Sequence, residues 1–99
     1  MLPPAEAGVR RLHPLARRNV HHAFDELRDI PYLGKQLDGE LAGFWRYPVG
    51  RLRVTYRFTN ATLEIVLVGP RATIYEDLAI LIRSRQINER RARYAAAHA

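Results

Sequence analysis

The amino-acid sequence predicts an α+β fold, in which N-terminal helices pack on a small twisted antiparallel sheet and a C-terminal helix follows. Apolar residues recur at helical spacing before position 30, alternate with polar residues between positions 45 and 58, and return to helical spacing after position 76. Short turn sequences separate the strand-like runs, which favours an antiparallel meander. The 99 residues suffice for one modest core, so we interpret residues 1–99 as a single domain.

Two helices are predicted before the sheet. Residues 4–12 form the first, which is short. Pro14 suits the first turn of the second, an amphipathic helix that ends near Ile30, because Pro31 disfavours helical backbone in the residue before it. Residues 32–42 contain two glycines and are interpreted as a loop.

Three strand-like runs follow, over residues 43–49, 51–58 and 62–69. In the middle run, apolar residues alternate with polar ones, namely Arg51, Arg53, Thr55 and Arg57. Alternate side chains of a strand point to opposite faces, so the sheet has one apolar face and one cationic face. We call the cationic face the arginine face. We expect the helices to cover the apolar face and to leave the arginine face open.

The last predicted element is a helix that begins near Glu76. Leu78, Leu81 and Ile82 lie on one side of it at helical spacing. The pattern then gives way to an arginine- and alanine-rich tail, so that residues 77–99 comprise the C-terminal helix and the tail.

Composition narrows the class of protein. The chain has 16 basic and 10 acidic residues, and its net charge of +6 makes a polyanion the expected partner. The absence of cysteine excludes disulfide frameworks and thiol catalysis. The longest apolar run has five residues, far below the roughly 18 of a membrane span, and the N-terminus has no signal-peptide pattern. We therefore expect a cytoplasmic protein with no membrane partner.

Four short motifs occur in order between Pro31 and Tyr75. They are a P-x-x-G-K-x-L-x-G loop, a G-F-W-R strand, an R-x-R-V-x-Y-R strand and a closing V-G-x-R-x-x-x-Y. In this order and at these spacings, they resemble the RelE/ParE superfamily of toxins from type II toxin–antitoxin systems, and its RelE-like branch in particular. The resemblance covers about residues 9–76.

The resemblance implies a ribosome-dependent endoribonuclease that cleaves mRNA in the A site, inhibits translation and is held inactive by a cognate antitoxin. It implies no cofactor and no metal, and contact with DNA only through the antitoxin. The residues at catalytic positions of the family pattern are Arg46, Arg53, Arg71 and Tyr75. The residues expected to bind RNA are Lys35, Arg51 and Arg57. The residues expected to bind the antitoxin are Leu78, Leu81 and Ile82.

The chemistry of RNA cleavage agrees with these residue types. Without a metal, the adjacent 2′-hydroxyl is the nucleophile, and the protein supplies cations where negative charge develops and groups that move protons. Arg53 and Arg71 suit the first task, because arginine is permanently charged and forms paired hydrogen bonds to phosphate. Tyr75 suits proton transfer, or it stacks on a base and orients it. The sequence is compatible with both roles of Tyr75.

Two departures from the family pattern leave alternatives open. Pro48 stands where some RelE toxins carry a further lysine. Only Met1 and Leu2 precede Pro3, where the family has a first strand, so we expect an open sheet edge at which an extended antitoxin segment can add. The alternatives are a ParE-like toxin that inhibits DNA gyrase without nuclease activity, and a degenerate toxin that acts only as an antitoxin-binding or regulatory partner.

Overall fold

The computed structural model describes residues 1–84 of the chain. In chain order, the helices and strands are α1 (Pro3–Arg10), α2 (Pro14–Asp29), β1 (Lys35–Gln36), β2 (Trp45–Val49), β3 (Leu52–Phe58), β4 (Leu63–Pro70) and α3 (Ile74–Arg83). This order confirms the predicted α+β fold. The predicted arginine- and alanine-rich tail lies outside the described residues. Within residues 1–84, no helix has the length and apolar character that a membrane crossing requires.

The four strands form one antiparallel sheet in the order β1-β2-β3-β4. Between β2 and β3, Val49 pairs with Leu52 across a two-residue turn, in which Gly50 has a φ of 60°. A glycine at positive φ in the first central position is typical of a hairpin turn that matches the twist of the strands. The three predicted strands therefore exist, with ends shifted by one or two residues.

The prediction of a loop over residues 32–42 was incomplete. The segment contains β1, and 3₁₀ turns at Pro31–Leu33 and Gly39–Leu41 flank that strand. A strand of two residues is too short to show an alternating pattern, so only its pairing with β2 reveals it.

Both faces of the sheet are covered, at least in part. On the apolar face, α1 and α2 pack through buried residues such as Val9, Phe24 and Leu27. On the opposite face, α3 packs through Leu78 and Ile82 on a second cluster. The expectation that the arginine face is open is therefore wrong for the half that lies under α3.

Arg57 shows the consequence for the predicted site. Its side chain is on the arginine face but is 0% exposed. Its Nε donates to Glu64 Oε1 over 2.8 Å, and its guanidinium lies 5.3 Å from the centre of the Phe44 ring. The prediction that Arg57 contacts RNA does not fit this structure, because its charge is buried between Glu64 and Phe44.

The β4 edge of the sheet is partly covered by α1. No strand precedes α1 in the described part of the chain, as predicted. Instead, the Leu2 N–H donates to the Ile65 carbonyl over 2.9 Å. Gly8 lies so close to the Val68 carbonyl that a Cβ at this position would clash with it. The edge is therefore less open to a partner strand than the sequence indicates.

Candidate functional site

The half of the arginine face that α3 leaves uncovered contains a surface pocket of about 290 Å³. Its lining residues are Leu33, Gly34, Lys35, Arg46, Tyr47, Pro48 and Arg53. Three of these side chains are cationic, and none of the carboxylates in residues 1–84 lines the pocket. We call this feature the cationic pocket.

Strand pairing places the cations of the pocket side by side. Lys35 in β1 pairs with Arg46 in β2, and Pro48 in β2 pairs with Arg53 in β3. Like charges directly opposite each other on neighbouring strands are destabilising. A concentration of cations without a lining carboxylate is suited to an anion such as a phosphate group, which would relieve that repulsion.

Tyr56 holds the segment that carries Lys35. Its hydroxyl donates to the Pro31 carbonyl over 2.6 Å and accepts the Gly34 N–H over 3.0 Å. Burial raises the pKa of Tyr56 to about 12, with the Gly34 hydrogen bond acting in the opposite direction. A Cβ at position 34 would clash with the Tyr56 hydroxyl and with the Arg46 carbonyl. These contacts bring β1 against β2 and so set Lys35 beside Arg46.

Arg53 is held by the hairpin between β2 and β3. Its Nη1 donates to the carbonyls of Gly50 and Leu52 over 3.0 Å and 2.8 Å. Its Nε is buried and makes no hydrogen bond within the described structure. The guanidinium is thus fixed in place by one nitrogen while part of its hydrogen-bonding capacity is unused.

Arg46 connects the cationic pocket to α3. Its Nη1 donates to the Tyr75 hydroxyl oxygen over 3.3 Å, and both side chains are partly buried. Tyr75 lies in the first turn of α3, which begins at Ile74 and not near Glu76 as predicted. Two residues that the sequence assigned separately to catalysis therefore meet in space.

Arg51 and Arg71 lie in the turns at the same end of the sheet. The Arg71 N–H donates to the Arg51 carbonyl over 3.0 Å, which ties the turn after β4 to the turn before β3. Both side chains are exposed. Arg53 pairs with Gly69, two residues before Arg71, so these arginines surround the same end of the arginine face.

The predicted antitoxin-binding residues have a structural role in this conformation. Leu78 and Ile82 are 0% and 2% exposed, and Leu81 is partly buried against the same cluster. These residues form the side of α3 that packs on the sheet, so their assignment to antitoxin binding stays a prediction that requires a change at α3. Arg83 further holds α3 through two hydrogen bonds to Glu40, of 2.8 Å and 3.1 Å. An antitoxin reaches Leu78 and Ile82 only if α3 moves.

Sequence reasoning did not identify the role of Tyr56 or Gly34. Both residues belong to the motifs quoted above, and Gly34 directly precedes Lys35. The available signal was a glycine directly before Lys35 together with a tyrosine in the arginine-rich strand. It has no meaning until the fold brings the two residues within hydrogen-bonding distance.

The family model described as "ParE toxin of type II toxin-antitoxin system, parDE" matches residues 5–75. The chain belongs to this ParE toxin family. The match agrees with the resemblance to the RelE/ParE superfamily. No curated protein and no solved structure matches the chain significantly.

Membership of the ParE toxin family establishes the biological class of the chain. It is a toxin of a type II toxin–antitoxin system, and its cognate antitoxin is a partner. The matched region ends at Tyr75 and includes the whole cationic pocket. The features described above therefore lie within the part of this ParE-family toxin that the family model covers.

Proposed function

We propose that this toxin is a ribosome-dependent endoribonuclease that cleaves mRNA in the A site and thereby inhibits translation in the cytoplasm. The main support is the hydrogen bond from Arg46 to Tyr75 beside a pocket that also contains Lys35 and Arg53. This arrangement combines fixed positive charge with a hydroxyl group, which is what cleavage by an adjacent 2′-hydroxyl requires.

Arg46 and Arg53 provide the charge. As the 2′-oxygen attacks phosphorus, negative charge accumulates on the non-bridging oxygens, and guanidinium groups stabilise it through short, charge-assisted hydrogen bonds. The hairpin carbonyls fix Arg53 before substrate arrives, so little reorganisation is needed. Arg51 and Arg71 are exposed beside them and contact neighbouring phosphates of the RNA chain.

Tyr75 acts on the nucleophile. Arg46 donates to the Tyr75 oxygen, which leaves the Tyr75 O–H available to a substrate hydroxyl or to water. Tyr75 therefore orients the 2′-hydroxyl, and a water molecule carries its proton away. Arginine is not suited to this task, because its guanidinium does not release a proton at physiological pH.

The antitoxin neutralises the toxin by contacting the same end of the molecule. A segment with acidic residues complements Lys35, Arg46 and Arg53, which have no lining carboxylate among the described residues. Contact with DNA is indirect, through the antitoxin. A degenerate toxin, the third alternative, would bind the antitoxin in this way but would not cleave RNA.

Inhibition of DNA gyrase is the second candidate function. Two observations favour it. The matching family model is that of the ParE toxins, and Pro48, which has no titratable group, lines the pocket. In this case the arginine face binds the topoisomerase and catalyses no reaction.

The decisive experiment compares the two activities of the purified toxin. One reaction contains ribosomes programmed with a defined mRNA, and the other contains gyrase and relaxed plasmid. We expect the wild-type toxin to cleave the mRNA. Tyr75→Phe should lose this cleavage, and Arg18→Ala should cleave as wild type does. Arg18 is an exposed arginine on α2, which covers the opposite face of the sheet, and so controls for net charge. Intact mRNA together with inhibited gyrase would refute the nuclease proposal.

A further inference from the structure

The cleavage reaction needs a proton donor for the departing 5′-oxygen, and the lining of the cationic pocket narrows the candidates. Arg46 and Arg53 retain their protons, and Pro48 has none to give. The Tyr47 hydroxyl donates to Glu26 Oε2 over 3.0 Å, and this hydrogen bond raises the pKa of Tyr47. Lys35 is the remaining lining residue with a transferable proton.

The position of Lys35 suits this role. It lies directly opposite Arg46 in the pairing of β1 with β2, and such partners have Cβ atoms about 5 Å apart. Arg46 also donates a hydrogen bond to Tyr75, the residue that orients the nucleophile. Arg46 therefore has Tyr75 as one neighbour and Lys35 as another. A phosphate bound by Arg46 is thus within reach of both side chains.

The amino-acid type at position 35 is a second, independent argument. The chain has 16 basic residues, and Lys35 is its only lysine. For binding a phosphate, arginine would serve at least as well, because it forms two parallel hydrogen bonds. Only lysine combines a positive charge with a proton that it can release and recover. The only lysine in an arginine-rich chain therefore lies where a proton donor is required.

We propose that Lys35 is the general acid of the cleavage reaction, an inference that rests on the proposed nuclease function. The bond between the 2′-oxygen and phosphorus forms while the bond between phosphorus and the 5′-oxygen breaks. Lys35 Nζ gives a proton to the 5′-oxygen and becomes a neutral amine, and the 2′-hydroxyl proton passes to water. The products are a 2′,3′-cyclic phosphate and a 5′-hydroxyl, and Lys35 regains its proton from solvent.

A substrate with sulfur in place of the bridging 5′-oxygen tests this assignment. A thiolate leaves without protonation, because a thiol is a far stronger acid than an alcohol. Wild-type toxin first identifies the cleaved position in a ribosome-bound mRNA, and two mRNAs are then made, with oxygen or sulfur at that position. Single-turnover rates are measured for wild type, Lys35→Ala, Lys35→Arg, Arg53→Ala and the charge control Arg18→Ala.

We expect both Lys35 variants to cleave the oxygen substrate about 100-fold more slowly than wild type, in the range for general acid catalysis. On the sulfur substrate, they should come within about threefold of wild type. Arg53→Ala should stay slow on both substrates, because its role is to stabilise charge, and Arg18→Ala should match wild type on both.

Three outcomes would overturn the assignment. If Lys35→Arg cleaves the oxygen substrate almost as fast as wild type, Lys35 supplies only charge. If Lys35→Ala is equally slow on both substrates, Lys35 positions the RNA and transfers no proton. If wild-type toxin cleaves no ribosome-bound mRNA in the first step, the nuclease function is refuted, and the proposed role of Lys35 is refuted with it.

Discussion

Arg57 and Glu64 form a salt bridge between β3 and β4, in which Arg57 Nη2 lies 2.6 Å from Glu64 Oε1. The two residues are partners in the strand pairing and are both buried. Because Glu64 compensates the charge of Arg57, the guanidinium can be buried beside the Phe44 ring, which packs with Leu78 and Ile82 of α3. The arginine face therefore has a buried part at Arg57 and an open part at Arg53, which lines the candidate site.

We predict that Arg57→Ala lowers the free energy of unfolding by about 3–5 kcal/mol, because it leaves a buried carboxylate without its partner. The double variant Arg57→Met with Glu64→Leu removes both charges and should be much closer to wild type. Urea unfolding followed by circular dichroism measures both. A stable Arg57→Ala protein that no longer cleaves RNA would contradict this interpretation and return Arg57 to the RNA-binding residues.

We predict that Tyr56→Phe lowers the free energy of unfolding by about 1–3 kcal/mol, because the Pro31 carbonyl and the Gly34 N–H lose their partner. The same variant should slow RNA cleavage, since Tyr56 sets the position of Lys35. Tyr32→Phe is the matched control, because it removes the hydroxyl of an exposed tyrosine in the same segment. Equal effects of the two substitutions on stability and cleavage would contradict this role.

Tyr56 also predicts a dependence of stability on pH. A tyrosine in the unfolded chain ionises near pH 10, whereas in the folded protein the pKa of Tyr56 is about 12. The folded state thus favours the neutral hydroxyl. This contribution to stability is complete below pH 10 and is lost as the pH rises towards 12. Urea midpoints of wild type should fall across this interval more steeply than those of Tyr56→Phe, and parallel curves would disprove the prediction.

Arg53→Ala and Arg71→Ala should each relieve growth arrest and reduce mRNA cleavage, by about 100-fold for Arg53, which we place at the developing charge. Arg71 is exposed, so its substitution should change the free energy of unfolding by no more than about 0.5 kcal/mol. Growth after induction, cleavage on programmed ribosomes and thermal melting provide the three measurements. If both variants melt far below wild type, these residues are structural.

RNA binding should weaken steeply with salt. Five cationic side chains surround the candidate site, namely Lys35, Arg46, Arg51, Arg53 and Arg71. If four or five of them contact phosphates, a plot of log affinity against log salt concentration for single-stranded RNA should have a slope of about −3. Each substitution to alanine should make the slope shallower by roughly 0.7, and Arg18→Ala should not change it. A flat salt response would exclude this face as the RNA surface.

Binding of the antitoxin should change hydrogen exchange in two regions. An extended antitoxin segment should protect backbone amides in one edge strand, β1 or the part of β4 that α1 leaves open. Exchange in α3 should also change, because the antitoxin either clamps this helix or displaces it to reach Leu78, Leu81 and Ile82. Arg83→Ala removes the contact with Glu40 and should make displacement easier. If exchange is unchanged in both regions of the complex, this mode of neutralisation is wrong.

The elements of this protein were predictable from the sequence because their signals are local. Prolines begin α1 and α2, as they favour the first helical turn, and Pro31 ends the helical pattern of α2. Alternation in β3 and the turn at Gly50 defined the central hairpin. The same alternation correctly placed Arg53 and Arg57 on one face of the strand.

The tertiary structure decided which of these arginines is available for binding. Arg53 and Arg57 have the same pattern in the sequence, yet Arg53 lines an open pocket and Arg57 is buried beside Phe44. The difference comes from packing between residues far apart in the chain, since Leu78 and Ile82 pack with Phe44 and Val66. In the same way, only the fold joins Arg46 to Tyr75 and sets Lys35 beside Arg46. Local periodicity determines the direction of a side chain, whereas its neighbours depend on long-range burial that no sequence window contains.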